Sequence, residues 1–154
     1  METLEEFVKK DKKIILVVGD VGFSYMQDFQ KKYPKQYLNA GVTEQSFMGI
    51  AAGLASAGWK PYVYSMVPFI IMRNYEQLRN DVCYANLDGK LIGVVGNIHY
   101  RFQGMSHNLL GTENEEDLLK NLPNIERFYP DSVKEVRKIV LKTYKNKTPI
   151  FIRL

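Results

Sequence analysis

Ile14-Ile15-Leu16-Val17-Val18, followed at once by Gly19-Asp20-Val21-Gly22, is the stretch on which the fold turns. An unbroken apolar run this short, with no polar alternation, reads as a central strand buried on both faces. The glycines and aspartate behind it end it in a turn. Outward from there, short β-branched runs alternate with longer segments of helical period, the signature of a parallel sheet covered by helices. The pattern predicts a helix over Phe23 to Lys32, ended by Pro34, then a short strand at Tyr37-Leu38. Gly41-Val42-Thr43 opens the next helix. In it Phe47, Ile50, Ala51 and Leu54 keep the helical spacing, while Gly49, Ala52, Gly53, Ala55 and Ala57 leave it almost without bulk. A strand at Tyr62 to Ser65, a helix from Phe69 to Asn86 and a strand at Leu91 to Val95 follow. A polar, glycine-bearing stretch then runs from Gly96 to Asn114, a length that in a compact domain signals function or mobility. A short helix around Glu115 to Asn121, a strand near Ile125 to Phe128, a helix from Ser132 to Tyr144 and a strand at Ile150 to Ile152 finish the alternation.

Composition bounds the rest. The 154 residues are 45% hydrophobic and 25% charged, the balance of an ordinary globular chain. One domain over residues 1–154 is the economical reading, because a chain of this size buries roughly 70% of the surface it would expose unfolded. The single cysteine, Cys83, reads as a buried helix thiol, and with no charged-then-apolar leader it points to the reducing cytoplasm. The apolar runs Ile14 to Val18 and Met66 to Met72 are too short to span a bilayer, so no membrane role is expected. The net charge of +4 gathers at Lys9 to Lys13, Lys31 to Lys35 and Lys138 to Lys147, which read as solvated helix ends rather than a nucleic-acid surface.

Several generic signals carry nothing. His99 and His107, the two histidines, make no zinc cluster with one distant cysteine. Gly19-Asp20-Val21-Gly22 and Gly93-Val94-Val95-Gly96 lack the spacing of a phosphate-binding fingerprint, and no Gly-x-Ser-x-Gly elbow is present. Glu44, in the segment that begins at Asn39, has a plain explanation: Thr43 caps the helix and a first-turn carboxylate complements its dipole.

The same residues carry a resemblance. Gly41-Val42-Thr43-Glu44-Gln45, with its small-residue helix, is similar to the segment bearing the essential glutamate in the pyrimidine-binding domain of transketolase-like thiamine diphosphate enzymes. Gly19-Asp20-Val21-Gly22 with Ser24 resembles the Asp-Leu-x-x-Ser turn after that domain's first strand. Tyr64-Ser65, Phe69 and Arg73-Asn74-Tyr75-Glu76-Gln77 resemble the aromatic segment around the aminopyrimidine, the last five being close to the Arg-Ala-Tyr-Asp-Gln of deoxyxylulose phosphate synthases. Gly104-Met105-Ser106-His107-Asn108 resembles the Gly-x-Thr-His-Gln loop of the substrate channel. Leu122-Pro123-Asn124 and Pro130-Asp131 resemble the Ile-Pro-Asn and Pro-x-Asp beyond it.

The resemblance implies an α/β fold, a three-layer α/β/α sandwich with a mostly parallel sheet. It implies that Glu44 hydrogen-bonds the aminopyrimidine of thiamine diphosphate and so activates the cofactor, in a site where the protonated carboxyl survives near neutral pH. Asp20, Phe69, Met72 and Tyr75 would complete the cofactor pocket. Ser24, Arg73, His99, Gln103 and His107 would face the substrate, His107 also as a catalytic group. Gln103 stands where transketolases carry an acidic residue, Met72 where an aromatic is frequent, and Phe69 is displaced by one position from the synthase pattern. The Gly-Asp-Gly and asparagine that hold diphosphate and Mg2+ in the family are missing, and Gly19-Asp20 is followed by Val21. The expectation is therefore a split enzyme: a partner subunit holds diphosphate and Mg2+, in an α2β2 assembly that transfers a two-carbon ketol unit between sugar phosphates. The alternatives are a 2-oxo acid decarboxylase or carboligase, a deoxyxylulose phosphate synthase-like enzyme, and a non-catalytic module that keeps the fold.

Overall fold

A computed structural model describes residues 1–24, 26–96 and 100–154. Among them, six strands form one sheet in the order β2-β1-β3-β4-β6-β5, every neighbouring pair parallel. They are β1 (Ile14–Val18), β2 (Tyr37–Asn39), β3 (Lys60–Met66), β4 (Lys90–Val94), β5 (Glu126–Phe128) and β6 (Ile150–Arg153). The helices are α1 (Glu2–Lys10), α2 (Gln27–Lys32), α3 (Glu44–Ser56), α4 (Val67–Ile71), α5 (Tyr75–Gln77, running on as a π-helical segment Leu78–Tyr84), α6 (Glu115–Leu119) and α7 (Val133–Thr143).

Strand periodicity sorts the apolar side chains to two sides. Ile15, Val17, Val63, Leu91 and Phe151 pack against Phe47 and Met48 of α3, Ile70 and Ile71 of α4, and Leu78 and Leu119. Ile14, Leu16, Val18 and Tyr62 point the other way, onto Leu4 and Val8 of α1, Met26, and Phe29 of α2, with Tyr144 at the end of α7 beside them. The result is the three-layer α/β/α sandwich, its sheet wholly parallel rather than mostly so. All five residues of β1 are buried. Cys83 is buried too, and burial pushes its thiol up to about 12. No helix among the described residues is long and apolar enough to cross a membrane.

Three elements depart from the sequence reading. Helix α1 is not expected beyond its terminal lysines, because only Leu4 and Val8 of its nine residues are buried and the apolar signal is correspondingly thin. Helix α2 starts at Gln27, not Phe23: Asp20, Gly22 and Ser24 all take positive φ, and a left-handed run cannot enter a helix. The single helix expected over Phe69 to Asn86 begins earlier, at Val67 with Pro68 in its first turn, and breaks at residues 72–74. At the amino-terminal end of β3 Lys60 Nζ lies 2.7 Å from Asp11 Oδ2, which also accepts from the Tyr144 hydroxyl at 2.9 Å.

Candidate functional site

From β1 the chain goes outward to β2 and returns past β1 to β3. Such a reversal leaves a crevice at the carboxyl ends of the two central strands, the usual ligand position in open parallel sheets. A cavity of about 270 Å3 lies there. Asp20 and Gly22 line it from behind β1, Ser65 and Met66 from the end of β3, Phe69 from α4, and Gln103 and His107 from the loop before α6. Among the described residues, two buried polar atoms on its wall have no hydrogen-bond partner: Oγ of Ser65, itself 1% exposed, and Oε1 of Gln103. An orphaned oxygen is costly to bury, so a lining with two of them suits a polar guest.

Glu44 is brought to this region by close packing. A Cβ on Gly19 would stand 2.7 Å from the Phe47 ring, so only glycine lets the first turn of α3 settle on the end of β1. Asn39 ties the same corner: its Oδ1 accepts from the Asp20 and Gly41 backbone N–H groups at 3.0 Å each, and its Nδ2 donates to Asp20 Oδ1 at 3.2 Å. Thr43 does not cap α3. Its hydroxyl donates backwards to Ala40 O at 2.8 Å, and no side chain caps the helix.

The Glu44 side chain is 11% exposed and its Oε1 lies 2.6 Å from Arg73 Nη1. The same guanidinium sits over the Phe69 ring, 3.9 Å from its centroid. Phe69 in turn meets the His107 imidazole edge to face at 4.8 Å, and His107 Nδ1 lies 2.8 Å from Ser106 Oγ. Asn74, fully buried, clamps the arrangement: its Nδ2 donates to Phe69 O at 2.9 Å and to Glu44 O at 3.3 Å.

The family described as transketolase, pyrimidine binding domain, matches residues 1–154. The chain belongs to this family. It is 31% identical over 154 residues to one subunit of the apulose-4-phosphate transketolase of Phocaeicola vulgatus, with 99% of this chain and 48% of the relative covered. To the 1-deoxy-D-xylulose-5-phosphate synthase of Halothermothrix orenii it is 28% identical, covering 99% of this chain and 23% of that one. Among solved structures, a split gene transketolase described as an inactive beta4 tetramer superposes with a TM-score of 0.82 at 32% identity, covering 99% of this chain and 48% of the other. The chain thus spans about half the length of these two split-transketolase relatives.

Of the residues that the sequence singles out, this pyrimidine-binding domain gathers Asp20, Phe69, Gln103 and His107 around the cavity and sets Glu44 and Arg73 beside Phe69. Met72 is instead 44% exposed, and Tyr75 packs against the α3 side of the core. Ser24 stands exposed in the left-handed turn and does not line the cavity. His99 lies outside the described residues. Three contributors have no role assigned from sequence: Asn39, Ser65 and Asn74. Ser65 and Asn74 carry a visible signal, Ser65 as half of the Tyr64-Ser65 match to the aromatic segment and Asn74 as a departure from the Arg-Ala-Tyr-Asp-Gln pattern at its second place. Among the described residues, no group of three or more His, Cys, Asp or Glu side chains is placed to hold a metal ion.

Proposed function

We propose that this chain is the pyrimidine-binding subunit of a split, thiamine diphosphate-dependent transketolase-like enzyme. The carrying observation is the Glu44 carboxylate, nearly buried at the start of α3, whose backbone carbonyl Asn74 ties to that of Phe69 on the cavity lining. An aromatic face, a shielded carboxylate and two orphaned oxygens fit the aminopyrimidine end of the cofactor. Thiamine diphosphate supplies, when bound, the carbon nucleophile and the electron sink. Glu44 would hydrogen-bond a ring nitrogen of the cofactor and Phe69 would offer its face to the ring, while Asp20, fixed by Asn39, faces the cavity from β1. His107, edge to face against Phe69 in the cavity lining, stands for hydrogen bonding or proton exchange with a sugar hydroxyl, with Gln103 as a neutral neighbour. A second polypeptide holds the diphosphate and Mg2+, two copies of each chain making an α2β2 enzyme in the cytoplasm. The reaction is transfer of a two-carbon ketol unit between sugar phosphates.

The test is to co-express the chain with a partner carrying Gly-Asp-Gly and the later asparagine, and to measure thiamine diphosphate binding by calorimetry and ketol transfer by coupled assay. Glu44→Ala in that complex should lower turnover by at least ~10²-fold, the loss of a positioned proton-transfer group. Near-normal turnover in the variant, or tight cofactor binding by this chain alone, would refute the assignment.

A further inference from the structure

We infer that Arg73 is a built-in occupant of the cofactor's ring position, so that the site loads only when this side chain swings out. The inference concerns regulation of the site just proposed and rests on that reading. A guanidinium is a planar group with N–H donors at its edge and a face that stacks on aromatic rings. Here the edge meets Glu44 at 2.6 Å and the face covers Phe69 at 3.9 Å. Those are the two contacts, one carboxylate and one aromatic face, that the proposed function assigns to the aminopyrimidine. One carboxylate oxygen and one ring face cannot serve both planar groups in the same place.

The two partners of the ion pair differ in freedom. Glu44 is 11% exposed on the first turn of α3, with its own carbonyl held by Asn74. Arg73 is 39% exposed and sits in the break between α4 and α5, with Asn74 anchoring the backbone beside it. Its side chain can therefore leave by rotation about its own bonds, with no movement of the helices. A site whose competent state is only a fraction of the population binds its ligand with affinity reduced by that fraction. The pair is partly solvated, which limits its strength and makes it breakable. Arg73 thus acts through Glu44 and Phe69 as a positioning residue. It keeps a shielded carboxylate paired while the subunit is empty and yields to a ring that makes both contacts at once.

The experiment uses the complex with the diphosphate-binding partner and thiamine diphosphate as the probe, with its dissociation constant and association rate measured by calorimetry and stopped flow for wild type, Arg73→Gln and Arg73→Lys. Removing the occupant should tighten binding ~3- to 30-fold in Arg73→Gln, through the association rate. Arg73→Lys, which keeps the charge but loses the stacking plane, should fall between. Melting curves establish that each variant is folded. Weaker or unchanged cofactor binding in Arg73→Gln overturns the inference, most directly if the KM for sugar phosphate rises instead, since Arg73 would then be a substrate ligand only. A wild-type complex that binds no thiamine diphosphate removes the proposed function and this inference together. Binding with no gain on substitution removes this inference alone.

Discussion

Replacing Asn74 should separate the two ideas that the residue is a mere core filler and that it is the clamp of the site. Its side chain is fully buried and its single amide nitrogen spends both hydrogens, one on Phe69 O at 2.9 Å and one on Glu44 O at 3.3 Å. Asn74→Ala removes both bonds at about 0.5–1.5 kcal/mol each, so the loss is about 1–3 kcal/mol. At ~2–4 °C per kcal/mol for a domain of this size, the melting temperature should fall by ~2–12 °C. Asn74→Asp is the sharper probe. It keeps the volume but turns a buried carboxylate on two carbonyl oxygens, with no donor to offer either, so it should melt below the alanine variant. Scanning calorimetry of the three proteins reads this order. At temperatures where the alanine variant is fully folded, its ketol transfer in the reconstituted complex should still be down ~10- to 100-fold, because Glu44 and Phe69 are no longer held to a common donor. An aspartate variant as stable as wild type, or an alanine variant with full turnover, would refute the clamp.

Gly96→Ala would drive a methyl group into the Asn108 carboxamide, whose Nδ2 donates to Tyr100 O at 3.1 Å and Gly104 O at 2.8 Å. Tryptic cleavage at Arg101 should accelerate roughly tenfold while the core keeps its protection against hydrogen exchange; unchanged cleavage would show that the loop absorbs the methyl group. Burial works to raise the Asp11 carboxyl, but Lys60, the Lys13 backbone N–H and the Tyr144 hydroxyl outweigh it and leave its pKa lowered. That contribution is present above the unfolded value near ~4 and is lost as pH falls through the lower folded value. Lys60 is raised chiefly by its hydrogen bond to Asp11, so its share is complete below the unfolded ~10.4 and disappears as pH climbs through the folded value. Lys60→Gln should therefore flatten melting temperature against pH at both extremes, and unchanged limbs would count against the pair. The Cys83 thiol, raised to about 12 by burial, should react with an aromatic disulfide reagent at least ~100-fold more slowly in the folded protein than in denaturant. Equal rates would place it outside the core.

What is legible in the sequence follows from where the information sits. β1 is legible to the residue because a strand buried on both faces needs only its own apolar run. Glu44 is legible because its neighbours form a recognisable motif. The break after α4 is not: residues 72–74 carry no glycine or proline, and what stops the helix there is Asn74 reaching carbonyls on α4 and on α3, a contact that no local window contains. The late start of α2 is hidden similarly, since Asp20 and Ser24 take left-handed backbone angles that their residue types do not announce. The Glu44–Arg73 pair joins residues 29 positions apart and exists only once α3 and α4 lie side by side. Ser65 sits in a segment that resembles the family's, but it has no role of its own until the sheet order puts the end of β3 at the crevice.

The Asn108 carboxamide donates to carbonyls of its own loop, whereas that of Asn74 reaches two different helices. The two walls of the cavity are therefore built to different tolerances. A change of length or side chain between residues 101 and 106 can be taken up locally, in the wall that carries Gln103 and His107, without reaching α3 and Glu44. A change at Asn74 is transmitted to α3 and α4 together. In a chain so arranged, the choice of guest can drift while the means of handling it stays fixed.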